Sequence, residues 1–134
     1  MSEKKLIRVQ DVMRAEFYMV DGMATVEEAL RIMKQNETEC LVVDKRNQED
    51  EYGLLLISDI ARSVLAQDRA PQRVNVYEVM AKPIIAVDPA MDIRYCARLF
   101  TRFDLSRAPV IENGKVVGFV SFTDLVMRGL SELY

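Results

Sequence analysis

GFVSFTDL, residues 118–125, is the stretch on which the fold turns. It reads as an apolar strand interrupted by Ser121, running into a Thr-Asp pair of the kind that opens a helix. GLLLISDI, residues 53–60, repeats the frame 65 residues earlier with Leu56 in place of Ser121. One strand-to-helix phrase written twice predicts an internal repeat.

Sliding the chain on itself by about 67 residues extends the match in both directions. VQDVM (9–13) answers VYEVM (76–80), and Val20-Asp21 answers Val87-Asp88. Val26, Ala29, Leu30 and Met33 in one half, and Ile93, Cys96, Ala97 and Phe100 in the other, follow the spacing of one helical face. Thr25 and Glu28 form a predicted capping box, and Asp92 a predicted cap for the second helix. Next come CLVVD (40–44) and APVIE (108–112), both strand-like. Asn113-Gly114 then predicts a tight hairpin turn, because both turn positions tolerate positive φ. The first half carries the longer loop KRNQEDEY there, expected to be solvated. AQDRAPQRVN (66–75), polar and broken by Pro71, reads as a connector.

The expected organisation is a unit over 7–66, a linker over 67–75 and a second unit over 76–134, each helix, β, α, β, β, α. A unit of this length alone buries little apolar surface. The two are therefore expected to pack sheet to sheet as one α+β body with a quasi-symmetric cleft. Half of the 134 residues are apolar and 29% are charged, which is globular composition. A net charge of −3 argues against binding to nucleic acid or to an anionic membrane surface. No apolar run is long enough to span a bilayer, and the first residues lack a signal-peptide core. The expectation is a cytoplasmic protein. The chain has no histidine, which excludes imidazole metal sites and His-dependent catalysis. No metal site, catalytic group or required cofactor is expected, and an enzyme such as a small nucleotide hydrolase is disfavoured.

The paired V-x-x-V-M starts and the closing pattern, Gly118, Ser121 and Asp124 in the second half, resemble a tandem pair of CBS domains, the cystathionine-β-synthase-type or Bateman module. The resemblance covers residues from about 7 to 130. It implies a cleft that takes an adenosine-type ligand, AMP, ADP or ATP and in some members S-adenosylmethionine or NAD. It also implies regulation, energy sensing included, of an unknown effector protein in trans, and pairing as a homodimer.

Asp124 is the candidate ribose acceptor, since a carboxylate accepts charge-assisted hydrogen bonds from hydroxyls. Ser121 and Thr123 add hydroxyl donors, and the helix start is expected to favour a phosphate. Arg107 matches the position that the resemblance assigns to phosphate contact. The resemblance places Met13, Tyr18 and the segment around Thr38 at the base end, with backbone groups near Tyr18 reading an adenine edge. In the first half Asp59 and Ser58 remain. Leu56 stands for Ser121, and Glu39 is matched with Arg107, so this second site reads as degenerate and hostile to phosphate.

Plainer readings stand beside these. Asp59 and Asp124 also serve simply as helix-starting residues, Arg107 as a solvated surface arginine, and Tyr18 as a strand aromatic. Met13 and Met80 read as core filler. Cys40 and Cys96 read as inert small core residues, aligned with Ala108 and Ala29. The closing helices, IARSVLAQ and LVMRGLSELY, carry surplus apolar surface and are the expected dimer face. The competing function is a ligand-free interaction and dimerisation module.

Overall fold

The computed structural model describes residues 5–82 and 84–134. In chain order the elements are α1 (Val9–Val12), β1 (Met19–Val20), α2 (Val26–Gln35), β2 (Cys40–Val43), β3 (Gly53–Leu56), α3 (Ile57–Ile60), α4 (Val76–Val79), α5 (Ile93–Phe103), β4 (Arg107–Glu112), β5 (Lys115–Ser121), α6 (Phe122–Asp124) and α7 (Ser131–Leu133). Behind α3 and α6 the chain continues as wider π-helical turns, Ala61–Leu65 and Leu125–Leu130. The fold is α+β, as its sequence predicts. No helix among the described residues is long and apolar enough to cross a membrane.

The compact units are offset from the sequence repeats. One unit runs from Phe17 to Ile84; the other joins Met1–Glu16 to Ile85–Tyr134. The opening helix of each repeat thus belongs to the body built by the other repeat's strands. The expected linker, 67–75, is anchored at its end. Val74 is buried within the first of these units, and its carbonyl accepts the Val26 amide at 2.8 Å. The apolar side chains Val74, Val76 and Val79 draw the segment into that core.

In the Phe17–Ile84 unit, β1 pairs parallel with β2 and β2 antiparallel with β3. Its core gathers Val20, Val26, Ala29, Met33, Leu41, Val43, Leu55 and Ile60 beneath α2. The other unit repeats the plan. β4 and β5 are antiparallel, Val87 bridges Val110 in parallel, and Val87, Ile93, Cys96, Phe100, Ala108, Val110, Val120 and Leu125 fill the core. Where one core has Met33 and Leu41, the other has Phe100 and Ala108. A larger residue on the helix offsets a smaller one on the strand, which keeps the packed volume nearly constant.

Local signals explain the helix starts. Thr25 and Glu28 make the reciprocal capping box, with bonds of 3.1 Å each way. Asp92 accepts the Arg94 amide at 2.8 Å. The Asn113-Gly114 turn has φ of 53° and 77°, as the hairpin requires.

Each unit is closed by an opening segment laid against its last strand, β5 or β3. Arg14 exchanges two backbone hydrogen bonds with Phe119, at 2.8 and 2.9 Å, and Ala81 exchanges two with Leu54, both 2.9 Å. The repeated glycines permit this approach. A Cβ on Gly118 would sit 2.5 Å from the Arg14 carbonyl oxygen; one on Gly53 would meet the Met80 sulfur at 2.7 Å and the Ala81 oxygen at 3.3 Å. A thioether can swing aside, whereas a paired backbone carbonyl cannot. Gly118→Ala is therefore expected to cost about 2–3 kcal/mol, and Gly53→Ala about 1 kcal/mol. Urea denaturation of the two variants checks this, and an equal or reversed order would contradict it.

Candidate functional site

Asp124 is the only buried charged residue among those described, 3% exposed. It ends α6, a single turn that follows β5 directly, with Phe122 held edge-on against Phe100 at 5.3 Å. Oδ2 of Asp124 accepts from both the amide and the hydroxyl of Ser121, each at 3.0 Å. The Asp124 amide returns a bond to Ser121 Oγ at 3.2 Å. Oδ1 accepts Arg14 Nε at 3.0 Å. A carboxylate offers about four lone-pair directions; three are taken. Ser-x-x-Asp is thus first a capping box, and only one acceptor direction, on Oδ1, remains.

The helix start offers little to a phosphate. The Phe122 amide is bonded to the Ser106 carbonyl at 2.9 Å and the Asp124 amide to Ser121, so the expected cradle of free N–H groups is mostly consumed. Arg107 heads β4 and faces Ser121 as its ladder partner. Thr123 is exposed and Met13 is half-buried against this unit's core. Arg128 Nη1 donates to the Met13 carbonyl at 3.4 Å.

The other unit holds the remaining predicted residues. Asp59 Oδ2 accepts the Leu56 amide at 2.9 Å; Leu56 has no hydroxyl to return the bond. Ser58 is half-buried on the same turn. Tyr18 packs partly buried on the core, and its carbonyl takes the Val42 amide at 2.9 Å. The sheet thus uses one of the two lone pairs of that carbonyl. Thr38 Oγ1 donates to the Cys40 carbonyl at 3.1 Å, a local turn at the strand entrance.

The register corrects one expected correspondence. Cys40 pairs with Leu56 as Arg107 pairs with Ser121, and the carbonyl of Glu39 accepts from Ile57 as that of Ser106 accepts from Phe122. The counterpart of Arg107 is therefore Cys40, and Glu39 matches Ser106. Setting CLVVD against APVIE, with Cys40 against Ala108, placed the strands one residue out; the ladder hydrogen bonds decide. Glu39 is exposed, so its repulsion of a phosphate at the Arg107 position is withdrawn. The asymmetry survives, because Cys40 carries no positive charge. The two cysteines also differ. Cys40 is half-exposed, whereas Cys96 is fully buried and burial pushes its thiol up to about 11.

The 44–52 loop departs from its solvated expectation at Asp50. Its side chain is 9% exposed, joined to Lys82 Nζ at 2.5 Å and to the amide and Nε of Arg46 at 2.8 and 3.3 Å. The Arg46–Asp50 spacing of four was a legible signal; Lys82 lies 32 residues further on and was not. Lys82 first, and then the Arg46 amide, hold the Asp50 carboxyl well below its ordinary 3.8. Beside this loop is a cavity of about 400 Å³ lined mainly by Met23, Val43, Tyr77 and Met80, with Arg46 and Lys82 at its polar margin.

The comparisons with known proteins follow this geometry. The sequence model of the CBS domain matches residues 9–66 and again 76–130. The chain belongs to the CBS domain family. It is 29% identical to the CBS domain-containing protein YhcV of Bacillus subtilis over 92% of this chain and 86% of that protein. Other curated relatives are longer; the chain spans 59% of the uncharacterized protein MJ0450 of Methanocaldococcus jannaschii. The structure of a hexameric CBS-CP12 protein from bloom-forming cyanobacteria superposes with a TM-score of 0.88 at 34% identity, over 92% of this chain and 72% of that one. The CBS domain pair of protein MJ0100, in complex with 5-methylthioadenosine and S-adenosyl-L-methionine, has a TM-score of 0.80. It covers 96% of this chain and 99% of that one, and at 19% identity the likeness is one of fold.

A carboxyl that titrates lower in the folded chain than in the unfolded one stabilises fully above its unfolded value and loses that contribution as pH falls. Wild type should therefore exceed Asp50→Asn in urea stability at neutral pH, with the gap shrinking below about pH 4. A gap that stays constant down to about pH 2.5 would dismiss the Asp50–Lys82 tie as a source of stability.

Proposed function

We propose that this CBS pair is a non-catalytic regulatory module of the cytoplasm that takes an adenine nucleotide at the Ser121–Asp124 junction and signals its occupancy to a partner protein. The observation that carries the reading is the difference between two equal frames. One junction combines Ser121, a buried Asp124 and Arg107 in the adjacent strand position; its counterpart has Leu56, a half-buried Asp59 and Cys40. Anionic ligands select such an arginine-bearing site. The adenosine class is drawn from the compounds held by the MJ0100 pair. A single nucleotide site, not two, follows from the asymmetry. Ligand that binds one arrangement of the module better than another shifts the population toward it.

A second reading, an interaction module without ligand, has one observation in its favour: the Asp124 carboxylate is already bonded on three sides within the protein. Thermal denaturation with AMP, ADP, ATP, S-adenosylmethionine and GTP separates the two. A ligand at a hundred times its Kd adds about 2.7 kcal/mol, on the order of 3–6 °C for a chain of this size. The expected result is such a shift with an adenine nucleotide and none with GTP. No shift with any adenosine compound leaves the interaction module. Asp124→Asn is the fitting control, because Asp124→Ala would also remove the helix cap.

Self-association through the helix after β5 belongs to the same proposal. Phe122, Val126, Met127 and Leu130 are 38–70% exposed along it, more apolar surface than a free helix face carries. Analytical ultracentrifugation should find wild type associated and Met127→Glu/Leu130→Glu monomeric. A monomeric wild type at every concentration removes this part of the proposal.

A further inference from the structure

The buried carboxylate of Asp124 is poorly placed to grip a ligand by itself. Both lone pairs of Oδ2 are committed to Ser121, and Oδ1 holds Arg14. A ligand that claimed both oxygens would have to break a bond in which each partner is already satisfied. The guanidinium of Arg14 is in the opposite condition. Its backbone is fixed by two hydrogen bonds to Phe119, its Nε is held by Asp124, and its side chain is nevertheless 65% exposed. The bond to Asp124 is the one side-chain hydrogen bond of Arg14 among the described residues, and it uses Nε alone, so the four N–H donors of the two Nη groups are left over on a largely exposed side chain. A planar fork anchored at one edge is preorganised to receive an oxyanion at the other.

Its surroundings have the same character. Arg128 reaches the carbonyl of Met13, the residue before Arg14, and Arg107 stands in register with Ser121. The counterparts of these three arginines in the other unit are Ala81, which pairs with Leu54 as Arg14 pairs with Phe119, Ser63 and Cys40. All three are uncharged. Three cations appear around one junction and none at the equivalent positions of the other, within a protein of net charge −3. Packing does not require this, because the same backbone closes with alanine.

We propose that Arg14 is the anion-binding residue of this site, and that Asp124 is a positioning residue whose effect on a bound phosphate runs through the guanidinium it holds. As regards the ligand, this rests on the nucleotide reading above, and it adds selectivity for the phosphorylated nucleoside over the free one. Arg107 and Arg128 add field at the same place, while the last acceptor direction of Asp124 Oδ1 is left for a single hydroxyl.

The test is calorimetric titration of the full chain with AMP, adenosine and inorganic pyrophosphate, on wild type, Arg14→Gln, Arg14→Lys, Asp124→Asn and the Arg14→Gln/Asp124→Asn double variant. Arg14→Gln is expected to weaken AMP at least tenfold while moving adenosine less than twofold. Arg14→Lys, which keeps the charge and loses the fork, should fall between. Asp124→Asn should lower the AMP-to-adenosine preference as Arg14→Gln does, and the double variant should lower it no further. An unchanged preference in Arg14→Gln, equal loss of AMP and adenosine, or a further drop in the double variant would overturn the inference. Pyrophosphate separates the two claims. Binding of pyrophosphate that depends on Arg14, with no adenosine compound bound, keeps the anion site and discards the nucleotide. Binding of adenosine that ignores phosphate keeps the nucleoside and discards Arg14. A wild type that binds none of the three discards both.

Discussion

The structure depends on one close approach made twice. An extended segment following a short helix lies against the last strand of each unit and exchanges backbone hydrogen bonds with it, at Arg14–Phe119 and Ala81–Leu54. Without that partner, the exposed edge of the strand and the valines of the helix would have no cover. A side chain at Gly118 would collide with the carbonyl that makes the pairing. The glycine, the V-x-x-V-M start and the strand that separates them in sequence are parts of one contact. Because the covering segment comes from the other sequence repeat, neither repeat is a complete unit.

On that shared frame the two units are tied by different charges. In one, Arg14 of the covering segment is held by Asp124; in the other, Lys82 of the covering segment is held by Asp50 from the long 44–52 loop. The tight Asn113-Gly114 turn of the first leaves no room for such a loop residue, and Leu56–Asp59 in the second has no arginine to hold. Asp50 precedes β3 and Asp124 follows β5, so the two carboxylates come from opposite ends of equivalent strands. The consequence for function is unequal. Asp50 holds a lysine whose side chain is 23% exposed, whereas Asp124 holds only the Nε of an arginine whose side chain is 65% exposed.

Much of this was legible. The repeat, the α2 and α5 faces, the Thr25–Glu28 box, the Asp92 cap and the Asn113-Gly114 turn are local or periodic signals, and the structure carries each of them. The matched strand-to-helix junctions were legible as well, together with the substitution of Leu56 for Ser121. Misread were the pairing of Arg107 with Glu39 and the solvation of Asp50. Each depends on a neighbour far away in sequence: a ladder partner or Lys82.

What the sequence by itself determined was the duplication, the α+β class and the position of two Asp-bearing junctions, because spacing and residue type govern local backbone geometry. The tertiary structure alone decided that the opening segment of one repeat closes the body of the other. It likewise brought Arg14 to Asp124, 110 residues apart. Nothing in either local sequence specifies that contact. It exists because two apolar edges needed covering, and the hydrogen-bonded approach that covered one of them carried an arginine to a buried carboxylate.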